Sequence, residues 1–451
     1  MSFRDFVANH EKSKQVLHVP DKLSRRFEVS YVMNAFGSDD GGPILAFDNV
    51  EGFEGSIVAN VCGSRERIRD AIGADKRGLY QWLTEAWRSP VKPKIVHDGN
   101  VSEVEEKTVD LSKIPVLTHF EKDSGPYITS GVVHAKSPDG KIENVSIHRL
   151  KILDKQHLAI RLVPRHLFEL HKMAKSAGKD LDVAISIGVH PTVLLAASSP
   201  LPFGICEFDA ANSLLNNSLH LVKCSRVDAH CPGDSELVLE GRISSEKEVA
   251  EGPFVDITGT YDIQRRQPVV EIVNVMHRRD YLYHALLPSG AEHRLLMGLP
   301  HEALIWEAVG KVVPRVGAVN LTHGGCGWLD AVIAVEKQVE GDGKNAILAA
   351  FASHPSLKHT VVVDLDVNVF DPYDVEWAVA TRFQATEDLV VVPNVRGSTL
   401  DSSANQETGL TSKMGIDATR PLSKPREKFE RAHIHVNDRV AKTIERMRGC
   451  A

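Results

Sequence analysis

The spacing of apolar residues divides the 451-residue chain into three stretches. Over residues 2–115, short helical and alternating patterns take turns. Ser64 is placed to cap a helix running to Ile72, with Ile68, Ala71 and Ile72 on one face. Residues 79–87 form a second amphipathic helix. Pro90, Pro93 and the acidic tract at 103–106 then make a polar connection. The middle stretch is rich in strands. Residues 127–134 and 144–153 are β-branched runs joined by the turn Ser137-Pro-Asp-Gly140. From His166 the period becomes helical, through Leu167, Leu170, Met173, Ala174 and Ala177, and Gly178 stops it. Residues 182–189 return to strand, and Pro191 opens a short helix through Ala197. Strands at 219–224, 236–243, 261–265 and 269–275 complete a barrel-like unit. In the last stretch, strands 329–335, 360–369 and 389–393 alternate with helices 343–353 and 372–383. That order predicts a parallel sheet, with residues 395–412 as a loop. The expected fold mixes α/β and β domains, over residues 1–115, 116–305 and 306–451.

Composition narrows the function classes. The net charge is −7 with no block of Lys or Arg, which argues against nucleic acid or an anionic membrane as partner. No apolar run reaches the ~18 residues of a membrane span, and the N-terminus lacks the apolar core of a signal peptide. The six cysteines (62, 206, 224, 231, 326, 450) form no CxxC pair and read as reduced thiols. A cytoplasmic enzyme or assembly subunit is expected.

Candidate chemistry gathers around Glu143-Asn-Val-Ser-Ile-His-Arg-Leu150 and Leu162-Val-Pro-Arg-His166. Glu251-Gly-Pro-Phe-Val-Asp256 places two acids about a turn, where paired carboxyl groups push their pKa values apart and one can serve as a general acid. Arg149 would keep the other ionised or hold a substrate carboxylate. The alternative is a plain turn with both acids solvated. Asn144, His166 and Glu207 together suit a divalent ion with open positions for phosphate oxygens, or serve only in capping and packing. Cys224, His230 and Cys231 lack zinc-site spacing. His433 and His435 could bind metal if on a strand. Asp364 and Asp366 end a predicted parallel strand, where ligands bind or helices are capped. Gly324-Gly325 fits no phosphate-loop pattern, and there is no GxGxxG, GxxxxGK[ST] or GxSxG.

Taken in order, several segments resemble the UbiD-type prenylated-flavin decarboxylases. They are Gly42–Val50, Gly63–Ile68, Tyr127–Val133, Asn144–Arg149, Pro164-Arg-His166, Gly204-Ile-Cys-Glu207, Glu251–Asp256 and Thr411–Thr419. The resemblance implies an N-terminal α/β domain, a central split β-barrel that binds prenylated FMN, and a C-terminal α/β domain for oligomerisation. It implies Arg149, Glu251 and Asp256 as the catalytic ionic triad, with Asp256 the proton donor. Asn144, His166 and Glu207 would hold Mn²⁺ on the cofactor phosphate, with K⁺ beside it near Ser198, Ser199 and Pro200. Ser146, Ile147, His148, Arg149, Arg165 and Lys413 would contact the cofactor, while Leu162, Arg165, Ile257 and the 289–294 loop would face substrate. Arg165 could serve either party. The chain departs from many members at Val255, where they carry Gly, and in ending the triad with Asp rather than Glu.

The implied reaction is reversible, non-oxidative decarboxylation of an aromatic or heteroaromatic α,β-unsaturated acid, in a homodimer or homohexamer supplied by a flavin prenyltransferase. The cofactor would provide the electron sink that a carbanion at an sp² carbon lacks. The competing readings are a non-catalytic flavin-binding subunit of a larger assembly and a flavin reductase.

Overall fold

A computed structural model describes residues 2–37, 41–74, 78–432, 434 and 438–448. His433, His435 and Cys450 lie outside the described residues. The Leu237–Glu251 strand pairs with Leu181–Ile187 on one side and with Arg265–His277 on the other. Tyr127–Lys136, Glu143–Ile152 and His157–Ile160 fill the rest of the circuit, so six antiparallel strands close into a barrel. Closure needs a bend, and a bulge at Glu240/Gly241 supplies one. A Cβ at Gly241 would stand 2.8 Å from the Glu271 carbonyl oxygen, so only glycine lets the strands approach there. Ile128, Val133, Leu150, Leu158, Ile185 and Leu239 are fully buried in one core cluster. The first two barrel strands turn at the expected place, Gly140 adopting φ +71° and donating to the Ser137 carbonyl at 2.8 Å.

Ahead of the barrel lie Arg65–Ile72, capped by the Ser64 hydroxyl on the Glu66 N–H, and Leu79–Arg88. The N-terminal sheet runs Val16–Val19, Ile44–Phe47, Ile57–Ala59, and then Tyr283–Ala285, which returns from beyond the barrel. That return pins the N-terminal layer to the chain segment leading into the long Ala291–Val309 helix. Among the described residues no helix is long and apolar enough to cross a membrane.

The C-terminal sheet corrects the sequence expectation. Its order is Val316–Leu321, Asp330–Val335, His359–Asp364, Leu410–Ala418, Leu389–Arg396, parallel in the middle and antiparallel at both edges. Leu389–Arg396 is therefore an antiparallel edge, and the third parallel strand is Leu410–Ala418, whose first three residues fall in the expected 395–412 loop. Its buried positions include Lys413, Gly415 and Asp417, so no apolar alternation announces it.

Asp364 and Asp366, at the end of a parallel strand, are held by the fully buried Arg382, whose Nη1 lies 2.7 Å from Asp364 Oδ2 and whose Nη2 lies 2.8 Å from Asp366 Oδ2. Arg420 also touches Asp364. This end of the sheet is a structural ion network. Arg382→Met should cost about 3 kcal/mol by stranding a buried carboxylate, read as a lower urea midpoint. Adding Asp364→Leu should restore part of it.

Candidate active site

Arg149 stands near the end of Glu143–Ile152, the second barrel strand in sequence. Its Nε and Nη2 donate to the two oxygens of Glu251, each at 2.9 Å, in a bidentate pair. Glu251 is wholly buried and also accepts from the Tyr127 hydroxyl at 3.1 Å. Burial and the Glu251 charge push the Tyr127 phenol well up, keeping it a donor. The Phe254 ring lies 5.0 Å from the guanidinium carbon.

After Glu251 the chain turns at Gly252 (φ +89°), where a Cβ would meet the Ile263 carbonyl oxygen at 3.0 Å. A short hairpin follows, pairing Phe254 with Asp262 and Val255 with Tyr261. Val255 is buried by that pairing. Asp256 sits at the tip, where its N–H donates to the Thr260 carbonyl and its Oδ1 accepts from the Ile257 N–H at 2.7 Å. Asp256 Oδ2 is 3.5 Å from Arg149 Nη1, too long for a firm hydrogen bond. The structure brings the three residues together unequally: Glu251 is held in a bidentate pair, while Asp256 makes only a long contact with Arg149.

Two neighbours of the triad escaped the sequence reading, and a third lies in the 289–294 loop expected to face substrate. Asp262, on the returning arm of the hairpin, accepts from Arg149 Nη2 at 3.0 Å and also pairs with Arg265 and Arg161. Its partners hold its carboxyl below the usual range against the cost of burial. Asp123 lies behind the hairpin, accepting from the Phe120 N–H at 2.9 Å and the His119 N–H at 3.2 Å, and burial pushes its pKa up to about 6. His293 is the third. It takes the Ser289 N–H on Nδ1 at 3.0 Å, so its proton sits on Nε2, and burial lowers its pKa while the Asp256 charge opposes. Hairpin register could have flagged Asp262; only the folded loop reveals Asp123.

The second centre is Glu207, the first residue of Glu207–Leu214. It is 3% exposed, and burial pushes its carboxyl up. Oε2 accepts from the Val145 N–H at 2.6 Å, while His166 Nδ1 lies 3.9 Å from Oε1. The Asn144 amide donates to Oε1 at 3.0 Å, and its oxygen faces the Ser146 hydroxyl at 3.0 Å. His148 gives its Nδ1 proton to the Arg161 carbonyl, so Nε2, 2.9 Å from Ser146 Oγ, needs a donor. Turning the Asn144 amide over supplies one: its NH₂ would donate to Ser146 and free that hydroxyl proton for His148. The amide oxygen would then face Glu207 across the same gap, an arrangement that a cation between them would stabilise. Asn144, His166 and Glu207 therefore fit a divalent ion. Ser198 and Ser199 turn their hydroxyls back onto the carbonyls of the preceding helix, leaving backbone to serve any K⁺ there.

The other expected residues divide. Leu162 and Ile257 are buried, Leu162 within the barrel core. Lys413 lies in the C-terminal sheet, its Nζ donating to the Pro355 carbonyl at 2.7 Å, and burial lowers its pKa to about 8. Arg165 and Lys413 both act on His354, and Arg165 also acts on His301. The two imidazoles pack 4.4 Å apart, so both cations lie near one imidazole pair. Burial and the Arg396 charge hold the Arg165 guanidinium below its usual pKa.

A further cluster, His134, Glu143 and His230, has metal-like proximity. The His230 N–H, however, donates to His134 Nδ1 at 3.0 Å, so Nε2 keeps the ring proton and gives it to Glu143 at 3.0 Å. That nitrogen has no lone pair for a metal.

The chain matches the 3-octaprenyl-4-hydroxybenzoate carboxy-lyase (UbiD) models throughout: the N-terminal domain over residues 7–87, the Rift-related domain over 94–291 and the C-terminal domain over 294–418. It belongs to the UbiD family. Anhydromevalonate phosphate decarboxylase of Methanosarcina mazei is 45% identical, over 96% of this chain and 99% of that protein. Gallate decarboxylase of Lactiplantibacillus plantarum is 31% identical over 87% of each. The UbiD-class enzyme HmfF from Pelotomaculum thermopropionicum, solved with FMN, superposes with a TM-score of 0.94 at 40% identity, covering 98% of this chain and 100% of that one. An evolved dimeric form of HmfF, solved with prFMN, gives 0.89 at 38% identity over 96% and 97%. This chain is thus a UbiD-class decarboxylase, a carboxy-lyase of the flavin-binding kind, and the non-catalytic alternative falls away.

Asp123 gives the site a pH signature. Its folded pKa, about 6, lies above the ordinary 3.8, so the folded state binds the extra proton. Its contribution to stability is full below pH 4 and lost as pH rises through 6. Asp123→Asn should therefore raise the melting temperature above pH 6 relative to the parent, and change it little at pH 4.

Proposed function

We propose that the protein decarboxylates a phosphorylated, short-chain α,β-unsaturated acid, with Asp256 as the proton donor. The substrate class rests on the similarity to anhydromevalonate phosphate decarboxylases, 41–45% identical in five archaeal species. The name of their substrate denotes a dehydrated hydroxy acid bearing a phosphate. An aromatic or heteroaromatic acid is the second reading, supported by the gallate decarboxylase likeness. Asn144, His166 and Glu207 would hold Mn²⁺ on the phosphate of prenylated FMN, with K⁺ near Ser198–Pro200. A flavin prenyltransferase, a cytoplasmic setting and a homo-oligomer complete the reading.

The prenylated flavin, when bound, supplies the electron sink for the carbon that loses CO₂. The polypeptide does the rest. Glu251 and Tyr127 fix Arg149 so that Nη1 remains available on the Asp256 side. There the guanidinium can steer a substrate carboxylate inward. The buried side chains of Phe254 and Ile257 on the same hairpin disfavour retention of an anion, so neutral CO₂ leaves. Asp256, whose Oδ2 makes only a long contact with Arg149, delivers a proton from that oxygen to the vacated carbon.

The observation that carries this assignment is the asymmetry of the two acids about Arg149. Asp256→Asn should retain flavin and metal at parental stoichiometry while losing turnover by about 1,000-fold, within the usual range for a general acid, together with deuterium incorporation into product. Exchange within tenfold of the parent would remove Asp256 from the role.

A further inference from the structure

Arg294 occupies the first turn of the Ala291–Val309 helix and has no carboxylate partner among the described residues. Its Nη1 instead contacts the imidazole of His323, 2.8 Å from Nε2, and its Nε is buried with no hydrogen-bond partner. A cation held against an imidazole, with one donor unused, can take a stronger acceptor. The place matters as much as the charge. His293, the preceding residue, is within electrostatic reach of both Asp256 and Arg294. Ser289 Oγ stands 3.5 Å from the Cβ position of Gly259 in the Asp256 hairpin. From the other side, Cys326 Sγ contacts the Thr258 carbonyl oxygen at 3.9 Å. The loop carrying His323 packs on Arg294 at Gly327, and Gly324 leaves open space beside it.

We propose that Arg294, with His323 beside it, is the subsite for the substrate's phosphate, where the 323–327 loop meets the Asp256 hairpin. This rests on the reading of the substrate as a phosphorylated acid. An arriving phosphate displaces the imidazole from Nη1 and takes the end-on Nη1/Nη2 fork that guanidinium makes with phosphate, while the buried Nε stays out of reach. The short chain between phosphate and double bond then sets the reacting carbon against Asp256. Arg165, next to His166 in sequence and within electrostatic reach of Arg396, is the neighbouring cation that the proposed cofactor site would use instead.

The test uses the cofactor-reconstituted enzyme, with anhydromevalonate phosphate and its dephosphorylated alcohol as paired substrates and n-butyl phosphate as inhibitor. Arg294→Gln should lower the ratio of kcat/KM for phosphorylated over dephosphorylated acid by about 100-fold, as expected for losing charge-assisted bonds worth ~2–3 kcal/mol. The loss should appear in KM, inhibition by n-butyl phosphate should vanish, and Arg294→Lys should recover part. His323→Asn, at an exposed position, should lower the ratio in the same direction by several-fold and guards against a folding defect in the first variant. A ratio unchanged within threefold in both variants overturns the subsite. If the parent enzyme ignores the phosphorylated acid but n-butyl phosphate still inhibits through Arg294, the substrate reading fails and the subsite stands. If the parent responds to neither, both fail.

Discussion

The buried pair between Arg149 and Glu251 is the constraint on which the active site depends. A carboxylate with no solvent exposure can stay ionised only if its charge is met on the spot, and the two parallel bonds at 2.9 Å do that. Such a pair contributes little net stability against an apolar replacement, yet breaking it by removing one partner costs several kcal/mol. Its value lies in geometry. With two guanidinium nitrogens fixed on Glu251 and Asp262, the third faces Asp256 across a 3.5 Å gap. Barrel closure makes this possible, because Leu237–Glu251 must pair on both sides before Glu251 reaches Arg149.

One strand serves two electrostatic centres. Strand alternation turns Asn144, Ser146 and His148 to one face and Arg149 to the other. The first face builds a donor set around Glu207, a buried carboxylate with no Lys or Arg ion pair among the described residues and the His166 ring 3.9 Å away. That deficit of positive charge suits a metal. The second face has a guanidinium among acids and suits proton transfer. A cofactor anchored on the first and reacting at the second would span the strand, which explains why these residues fall so close together in sequence.

Much of this was legible beforehand, for physical reasons. The helix from His166, the Pro191–Ala197 helix and the Ser137–Gly140 turn follow local rules that tertiary structure did not override. The sorting of Asn144, His166 and Glu207 from Arg149, Glu251 and Asp256 came from family likeness, since spacing left capping and solvated turns open. The strand at Leu410–Ala418 was obscured because it buries Lys413, Gly415 and Asp417. Asp123, Asp262 and His293 enter the site through long-range contacts, and Tyr283–Ala285 joins a sheet more than two hundred residues upstream. No local pattern encodes such meetings.

The account requires the forked shape of the Arg149 guanidinium, beyond its charge. The most direct measurement is deuterium exchange into product by reconstituted Arg149→Lys enzyme, with flavin content and thermal midpoint recorded on the same sample. Lysine keeps the charge but cannot span both Glu251 oxygens and still face Asp256. The account predicts bound flavin, a folded protein and exchange reduced by at least about 100-fold, as for loss of a positioning group. Exchange at near-parental rate in the lysine enzyme would contradict it.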